Sequence, residues 1–348
     1  MEMKDKKDMK DIWTDGMTGL IAGDALGVPV QFMTREEIRS RPQGPVTGME
    51  GRGTYNMPAG TWSDDSSMAL AILASIRETG TIDPDNIMNH FVKWEAGGAY
   101  TPYGYAFDEG STCMDAIYRY LETRDWKTCG RTGDHANGNG ALMRILPVCL
   151  YYAERQKSVC TSDDEAIEGI HTATMITHNH LRAKIASGLY YFMVKSILKG
   201  NVTAGTTEPK IIPADKQISA APHTLIALLQ EGLDEGFRYY RRDFRNREET
   251  EKFSRLYHLD TFRNTPEEEI NSSGYVLDSL EAAVWCLITT DTYADCVLKA
   301  VNLGLDTDTT AAIAGGLAGL YYGRDSIPEE WLHTIREGKT LPQNLVEI

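Results

Sequence analysis

Apolar residues recur at helical spacing along almost the whole chain. Residues 12–27 carry Ile12, Trp13, Met17, Leu20, Ile21 and Leu26 with small residues between them. Residues 66–79 carry Met68, Leu70, Ile72, Leu73 and Ile76, and Gly80 follows as a stop signal. The same period appears near 84–95, 112–122, 141–154, 165–176, 181–199, 222–235, 276–288, 292–302 and 308–322. Period-two alternation, the mark of a half-buried strand, is nowhere sustained. The pattern predicts an all-α fold of ten or more helices, arranged as a compact single-domain orthogonal bundle. No repeat of fixed period is evident, which argues against a helical solenoid.

One helix stands out by its small residues. Ala311 to Gly319 alternates Ala, Gly and two aliphatics. Glycine inside a helix costs about 1 kcal/mol against alanine, so such a helix is favoured where neighbours approach closely. It is expected at the centre of the bundle. The segment 204–272 is the most polar and irregular, and it reads as a variable surface insertion. Its charge run from Arg238 to Arg247 reads as a solvated helix face. No Pro/Ser/Gly-rich linker divides the chain, so residues 12–348 are expected to form one domain behind a disordered tail at 1–11.

Composition narrows the function classes. The 348 residues are 42% hydrophobic, enough for a large core, and the net charge is −15. An acidic surface excludes nucleic acid as a partner, because phosphate contacts need basic patches. The six cysteines show no C-x-x-C spacing and read as reduced, mostly buried thiols. The most apolar run, 311–322, is shorter than the ~20 residues a membrane span needs. The mixed-charge N-terminus has no apolar stretch behind it and is not a signal peptide. These features predict a cytoplasmic protein with no membrane partner.

Two oxygen-rich knots carry the candidate chemistry. The first is Gly60-Thr61-Trp62-Ser63-Asp64-Asp65-Ser66-Ser67-Met68, and the second is Gly304-Leu305-Asp306-Thr307-Asp308-Thr309-Thr310. Each opens a helix, so capping and the helix dipole explain part of its acidity. They do not explain carboxylates this crowded, which repel one another unless a cation sits among them. The side chains are carboxylates and hydroxyls, the set that hard divalent ions choose. An EF-hand is excluded, because Thr310 and Ala311 stand where its third acidic residue and its glycine belong. Together the knots could hold two Mg²⁺ or Mn²⁺ ions with positions left for water or a diol. Three weaker features are Asn137-Gly138-Asn139-Gly140, a turn that can offer backbone amides to an anion, Thr177-His178-Asn179-His180, and Phe107-Asp108-Glu109-Gly110. Each of the three also reads as a simple turn or cap.

The order of these motifs resembles the ADP-ribosylglycohydrolase family. The matching stretches are Gly23-Asp24-Ala25-Leu26-Gly27-Val28-Pro29, Thr61 to Met68, Phe107 to Gly110, Gly138 to Arg144, Thr177-His178, Ser273 to Val276 with Leu280 to Ala283, and Asn302 to Thr310. The resemblance runs over roughly residues 12–335 and skips 204–272. It implies an all-α domain with a binuclear Mg²⁺ or Mn²⁺ cleft. Ser63, Asp64, Asp65, Asp306, Asp308 and Thr309 would ligate the metals. Gly138, Asn139 and Gly140 would cradle a diphosphate through backbone amides. His178 and Tyr275 would line the ribose and adenine side, with Gly304 also on the substrate side. Asp108 would act as acid or base near the scissile ribose, and Asp65 and Gln31 complete the implied catalytic set.

The implied activity is metal-dependent removal of ADP-ribose from a mono-ADP-ribosylated side chain, with arginine first. Partners would be an ADP-ribosylated protein or a small-molecule ADP-ribose conjugate. Serine-linked and small-molecule conjugates remain open as substrates. One position departs from the family: where it commonly has Glu before Phe, this chain has Gln31-Phe32. An amide cannot take a proton, so Gln31 raises a second reading, a pseudoenzyme that binds ADP-ribose without cleaving it. A purely structural role ranks last, since its expected signature is broken metal motifs and both are intact.

Overall fold

The computed structural model describes residues 9–158, 161–204 and 224–337. Among them the chain forms α1 (Met9–Gly27), α2 (Arg35–Ser40), α3 (Asp64–Thr79), α4 (Pro84–Gly97), α5 (Ser111–Thr123) and α6 (Leu146–Ser158). It continues through α7 (Asp163–Met175), α8 (Leu181–Ala204), α9 (Leu225–Tyr240), α10 (Arg247–Glu251) and α11 (Leu259–Phe262). The last are α12 (Val276–Ile288), α13 (Tyr293–Asn302), α14 (Thr307–Tyr322) and α15 (Glu329–Arg336). Isolated bridges are the only β pairing among the described residues. The fold is all-α, as the periodicity predicts.

The small-residue helix α14 is the axis of the bundle. Every residue from Thr307 to Leu320 is buried, and α1, α3, α8, α12 and α13 all pack on it. Its closest neighbour is α1, and the reason is glycine. A Cβ at Gly19 would fall on the Gly315 carbonyl, one at Gly23 on the Ala311 carbonyl, and one at Gly27 on the Asp308 backbone. The two helices therefore touch backbone to backbone. The Tyr293 hydroxyl donates to the Gly19 carbonyl at 2.6 Å and fastens α13 to the same seam.

Local chemistry sets the helix starts that matter for the site. Ser63 is extended and caps α3, its hydroxyl accepting from the Asp65 N–H. Asp306 precedes α14 without any side-chain cap bond, so its carboxylate is free for other work. Asp306 is anchored instead by its N–H, which donates to the Ser272 carbonyl at 2.9 Å.

Several boundaries differ from expectation. α1 begins at Met9, so residues 9–11 of the expected tail are helical, while residues 1–8 lie outside the described residues. The segment 141–144 is a turn, and α6 starts only at Leu146. The reading of 204–272 as a surface insertion is wrong for its described part. α9 buries Leu225, Leu228, Leu229, Leu233, Phe237 and Tyr240 and packs along α8. Its many charges sit on the opposite face and mask an amphipathic core helix. Residues 205–223 lie outside the described residues. The five described cysteines are free and buried, and Cys160 is not described. No described helix is long and apolar enough to cross a membrane.

Candidate active site

The site begins with an aspartate inside an apolar helix. Asp24 on α1 is fully buried and accepts from the N–H groups of Ser63 and Ser66, at 2.9 and 3.0 Å, and from the Ser66 hydroxyl at 2.5 Å. It caps α3 from another helix and docks the first acidic knot on α1. Burial pushes its pKa up to about 6 even against the lowering hydrogen bonds from Ser66 and Ser63.

Asp65 lies beside it, accepting from the hydroxyls of Ser63 at 3.0 Å and Thr309 at 3.3 Å. The two knots thus meet through a direct hydrogen bond. Asp24, Asp65 and Asp308 each offer one carboxylate oxygen, and these three atoms lie within 4.8 Å of one another. Burial, then the charges of their neighbours, drives Asp64, Asp65 and Asp308 well above the usual carboxylate range. Asp65 Oδ1, Asp306 Oδ1 and Asp308 Oδ2 are buried with no hydrogen-bond partner. No described lysine, arginine or histidine pairs with any of these acids. Orphaned carboxylate oxygens facing a shared space, with hydroxyls and without sulfur or imidazole, fit a hard divalent cation. A buried Asp cluster suited to a metal ion is therefore present.

Above the acids lies a cavity of about 240 Å³. Asp64, Asp306 and Thr309 line one side, with Gln31 and Asp108 at the edge; Gly138, Asn139, Gly140 and His178 line the other. Ser63, Asp65 and Asp308 are buried and do not line it. The structure thus gathers twelve of the fourteen expected site residues in and beneath one cavity. Tyr275 and Gly304 are not in its wall. Tyr275 pairs its backbone with Gly138, and the Arg182 guanidinium stands 5.8 Å from its ring centre. Gly304 has φ +81°, and a Cβ there would press on the Met33 carbonyl and the Arg35 nitrogen, so it is a packing glycine.

Asn139 departs from its expected use. Its backbone N–H is committed to the Gly274 carbonyl at 3.0 Å. Its side-chain amide donates to Asp306 Oδ2 at 2.7 Å and to Ser279 Oγ at 2.8 Å. Asn139 therefore orients Asp306 and offers no amide to an anion. Gly138 and Gly140 leave room for His178, whose ring carbon Cε1 would sit 3.0 Å from a Cβ at Gly140.

His178 is held neutral, its pKa pushed down to about 3 by burial and by Arg144 and Arg131. Its Nδ1 lies 2.8 Å from the Thr177 hydroxyl, which already accepts from Arg144 at 2.8 Å. With the hydroxyl proton turned to Nδ1, the imidazole proton sits on Nε2, on the Gly138 and Gly140 side. Arg144 itself is fully buried, donates to the Gly140 carbonyl and stacks over Phe91 at 4.9 Å.

Asp108 accepts from the Tyr55 hydroxyl. Burial raises its pKa, while hydrogen bonds from Tyr55, Asp308 and Gln31 pull it back. Gln31 is buried, and its Oε1 has no partner. Asp24, Tyr55, Arg144 and Ser279 carry no role in the sequence reading. Asp24 and Arg144 appear there only inside the matching stretches Gly23 to Pro29 and Gly138 to Arg144.

The described residues thus form an all-α domain in which two acidic helix starts meet beneath a carboxylate-rich cavity. The sequence matches the model of the ADP-ribosylglycohydrolase family over residues 5–347. It is 27% identical to the ADP-ribosylarginine hydrolase Tri1 of Serratia proteamaculans, over 95% of this chain and 76% of that one. It is 29% identical to the ADP-ribosyl-[dinitrogen reductase] glycohydrolase of Rhodospirillum rubrum, over 90% and 86%. A solved structure described as an ADP-ribosylglycohydrolase-related protein complex superposes with a TM-score of 0.65 at 25% identity, covering 95% of this chain and 94% of that one. The chain belongs to the ADP-ribosylglycohydrolase family, enzymes that hydrolyse glycosyl bonds to ADP-ribose.

Proposed function

We propose that this protein hydrolyses the N-glycosidic bond between ADP-ribose and an arginine side chain, using two Mg²⁺ or Mn²⁺ ions held by Ser63, Asp64, Asp65, Asp306, Asp308 and Thr309, with Asp24 joining them. The observation that carries this reading is the group of orphaned carboxylate oxygens on Asp65, Asp306 and Asp308 beneath the cavity. The names of the relatives from Serratia and Rhodospirillum support arginine as the linkage.

Bound metal would supply Lewis acidity toward the ribose hydroxyls and a water of lowered pKa. The residues of the chain do the rest. The wall at Gly138 and Gly140 receives the diphosphate, and the His178 Nε2–H donates to an oxygen of the ligand. Asp108, whose carboxylate accepts from the Tyr55 hydroxyl, takes a proton from the attacking water. The water oxygen bonds to the anomeric carbon as the bond from carbon 1 to the guanidine nitrogen breaks. The nitrogen keeps the electron pair and receives the proton back from Asp108. The products are ADP-ribose and free arginine.

ADP-ribose release from ADP-ribosyl-arginine and ADP-ribosyl-serine peptides, with Mg²⁺, Mn²⁺ or EDTA, tests the proposal. Release from the arginine peptide is expected only with metal, and Asp308→Ala should lower kcat by about a thousandfold or more. Release that persists in EDTA would sink the metal reading. A second reading rests on Gln31, whose carbonyl has no partner where the family commonly carries an acid. Tight ADP-ribose binding without turnover, with cleavage gained on Gln31→Glu, would establish that reading instead.

A further inference from the structure

The mouth of the cavity carries an aromatic side chain that packing does not account for. Phe32 is 64% exposed yet lines the cavity. Its backbone is left-handed, with φ +68°, a region uncommon for a bulky residue. Opposite it, Leu305 is also left-handed at φ +61° and 41% exposed. The two loops lock each other in this form. The Phe32 N–H donates to the Leu305 carbonyl at 2.6 Å, and the Leu305 N–H donates to the Met33 carbonyl at 2.6 Å. Glycine at position 32 would remove the strain, and the exposed ring gains little from burial. The strain therefore serves to hold an aromatic ring at the entrance.

What surrounds the ring indicates what it receives. Phe32 meets Tyr55 edge-on at 6.5 Å, and Tyr55 leans on Phe107 at 5.2 Å. The Tyr55 hydroxyl is bonded to Asp108, whose backbone is left-handed as well, at φ +63°. Among the described residues no cation pairs with Asp108. A π face beside an unpaired carboxylate, at the edge of an acidic cleft, is recognition chemistry for a flat, delocalised cation. A serine hydroxyl gains nothing from either group, and a lysine ammonium cannot lie flat against the ring.

We propose that Phe32, backed by Tyr55, is the specificity-determining receptor for the leaving side chain: the guanidinium of the modified arginine lies against the Phe32 ring with an edge turned to Asp108. This rests on the arginine reading above. Phe32 sorts leaving groups and takes no part in proton transfer.

The test uses the full chain saturated with ADP-ribose and Mg²⁺, so that only the leaving-group end is free. The probes are Nα-acetylarginine methylamide and its citrulline counterpart, which is planar but neutral, with affinities read by NMR titration. The arginine probe should bind at least about fivefold more tightly than the citrulline probe, and Phe32→Leu, which keeps bulk but loses the π face, should erase that preference. The ADP-ribose Kd of the variant should stay within about twofold of the unmodified protein, which reports an intact fold. An arginine-over-citrulline preference that persists undiminished in Phe32→Leu, or no probe binding by the unmodified protein, overturns the receptor role. Turnover separates the two readings. Release from the arginine peptide with unchanged probe binding in the variant overturns the Phe32 role alone, whereas no release overturns the arginine assignment and this role with it.

Discussion

His178 shows how a single proton is placed by residues that never touch the ligand. Arg144 donates to the Thr177 hydroxyl, which lies 2.8 Å from Nδ1; with that hydroxyl as the donor, the ring presents N–H at Nε2. Thr177→Val removes the relay and frees the tautomer. ADP-ribose affinity measured by calorimetry should fall about tenfold, and Thr177→Ser should restore it. Asn139 works in the same indirect way on Asp306. Its two amide protons are spent on Asp306 and Ser279, and this fixes which carboxylate oxygen stays free. Asn139→Ala should weaken Mn²⁺ binding by roughly 10–100-fold, the usual effect of losing an outer partner of a metal ligand. The Asn139 ties join residues 140 or more apart, and no local pattern announces them. The acids of the two knots were legible because crowding itself is a signal. Asp24 was not assigned a role, since an aspartate within a helix looks the same in sequence whether it caps a distant helix or faces a ligand, and Asp15 stands on the same helix. Gly304 was placed with the substrate because a motif does not tell a packing glycine from a contact glycine.

At the scale of elements, the seam between α1 and α14 decides whether the knots meet at all. Gly23 stands next to Asp24, and any side chain on it meets the Ala311 carbonyl. Gly23→Val forces the helices apart and should destabilise the fold by about 3 kcal/mol or more, read by urea unfolding, with metal affinity lost in parallel. Gly97→Ala, near the end of α4 with open space around it, should cost nothing and can add up to about 1 kcal/mol. The helices themselves were largely legible, because burial against α14 imposes the 3.6-residue period on every neighbour. The central place of α14 followed from its small residues. What failed was α9, whose exposed charges outweighed the apolar stripe from Leu225 to Tyr240. The start of α6 also failed, since the residues after Gly140 are apolar enough to continue a helix but are held as a turn. The bond from the Asn139 N–H to the Gly274 carbonyl ties that turn to a distant loop.

For the whole molecule, the acidic cluster makes stability a function of both metal and pH. Asp24 has a folded pKa of about 6 against an ordinary 3.8, and Asp64, Asp65 and Asp308 are raised as well. A raised carboxyl pKa means that the folded state holds protons the unfolded chain has already released. In the metal-free protein this contribution therefore falls as pH rises through the window from the ordinary value to the folded one. A divalent cation replaces those protons. The gain in melting temperature on adding Mg²⁺ to EDTA-treated protein should be small near pH 5 and grow toward pH 8. The difference between the two states cancels groups unlinked to the metal site, and a gain independent of pH would contradict the cluster as its cause.

The seam also sets a clock. Its halves lie near residues 19–27 and 308–319, so the backbone contact that brings Asp24 and Asp308 together closes only after residues 308–319 have been made. During synthesis α1 emerges with its glycine face bare, and the first knot has no second knot to answer it. A ribosome-bound chain halted before residue 300 should take up no Mn²⁺ and release no ADP-ribose, however well its early helices have formed.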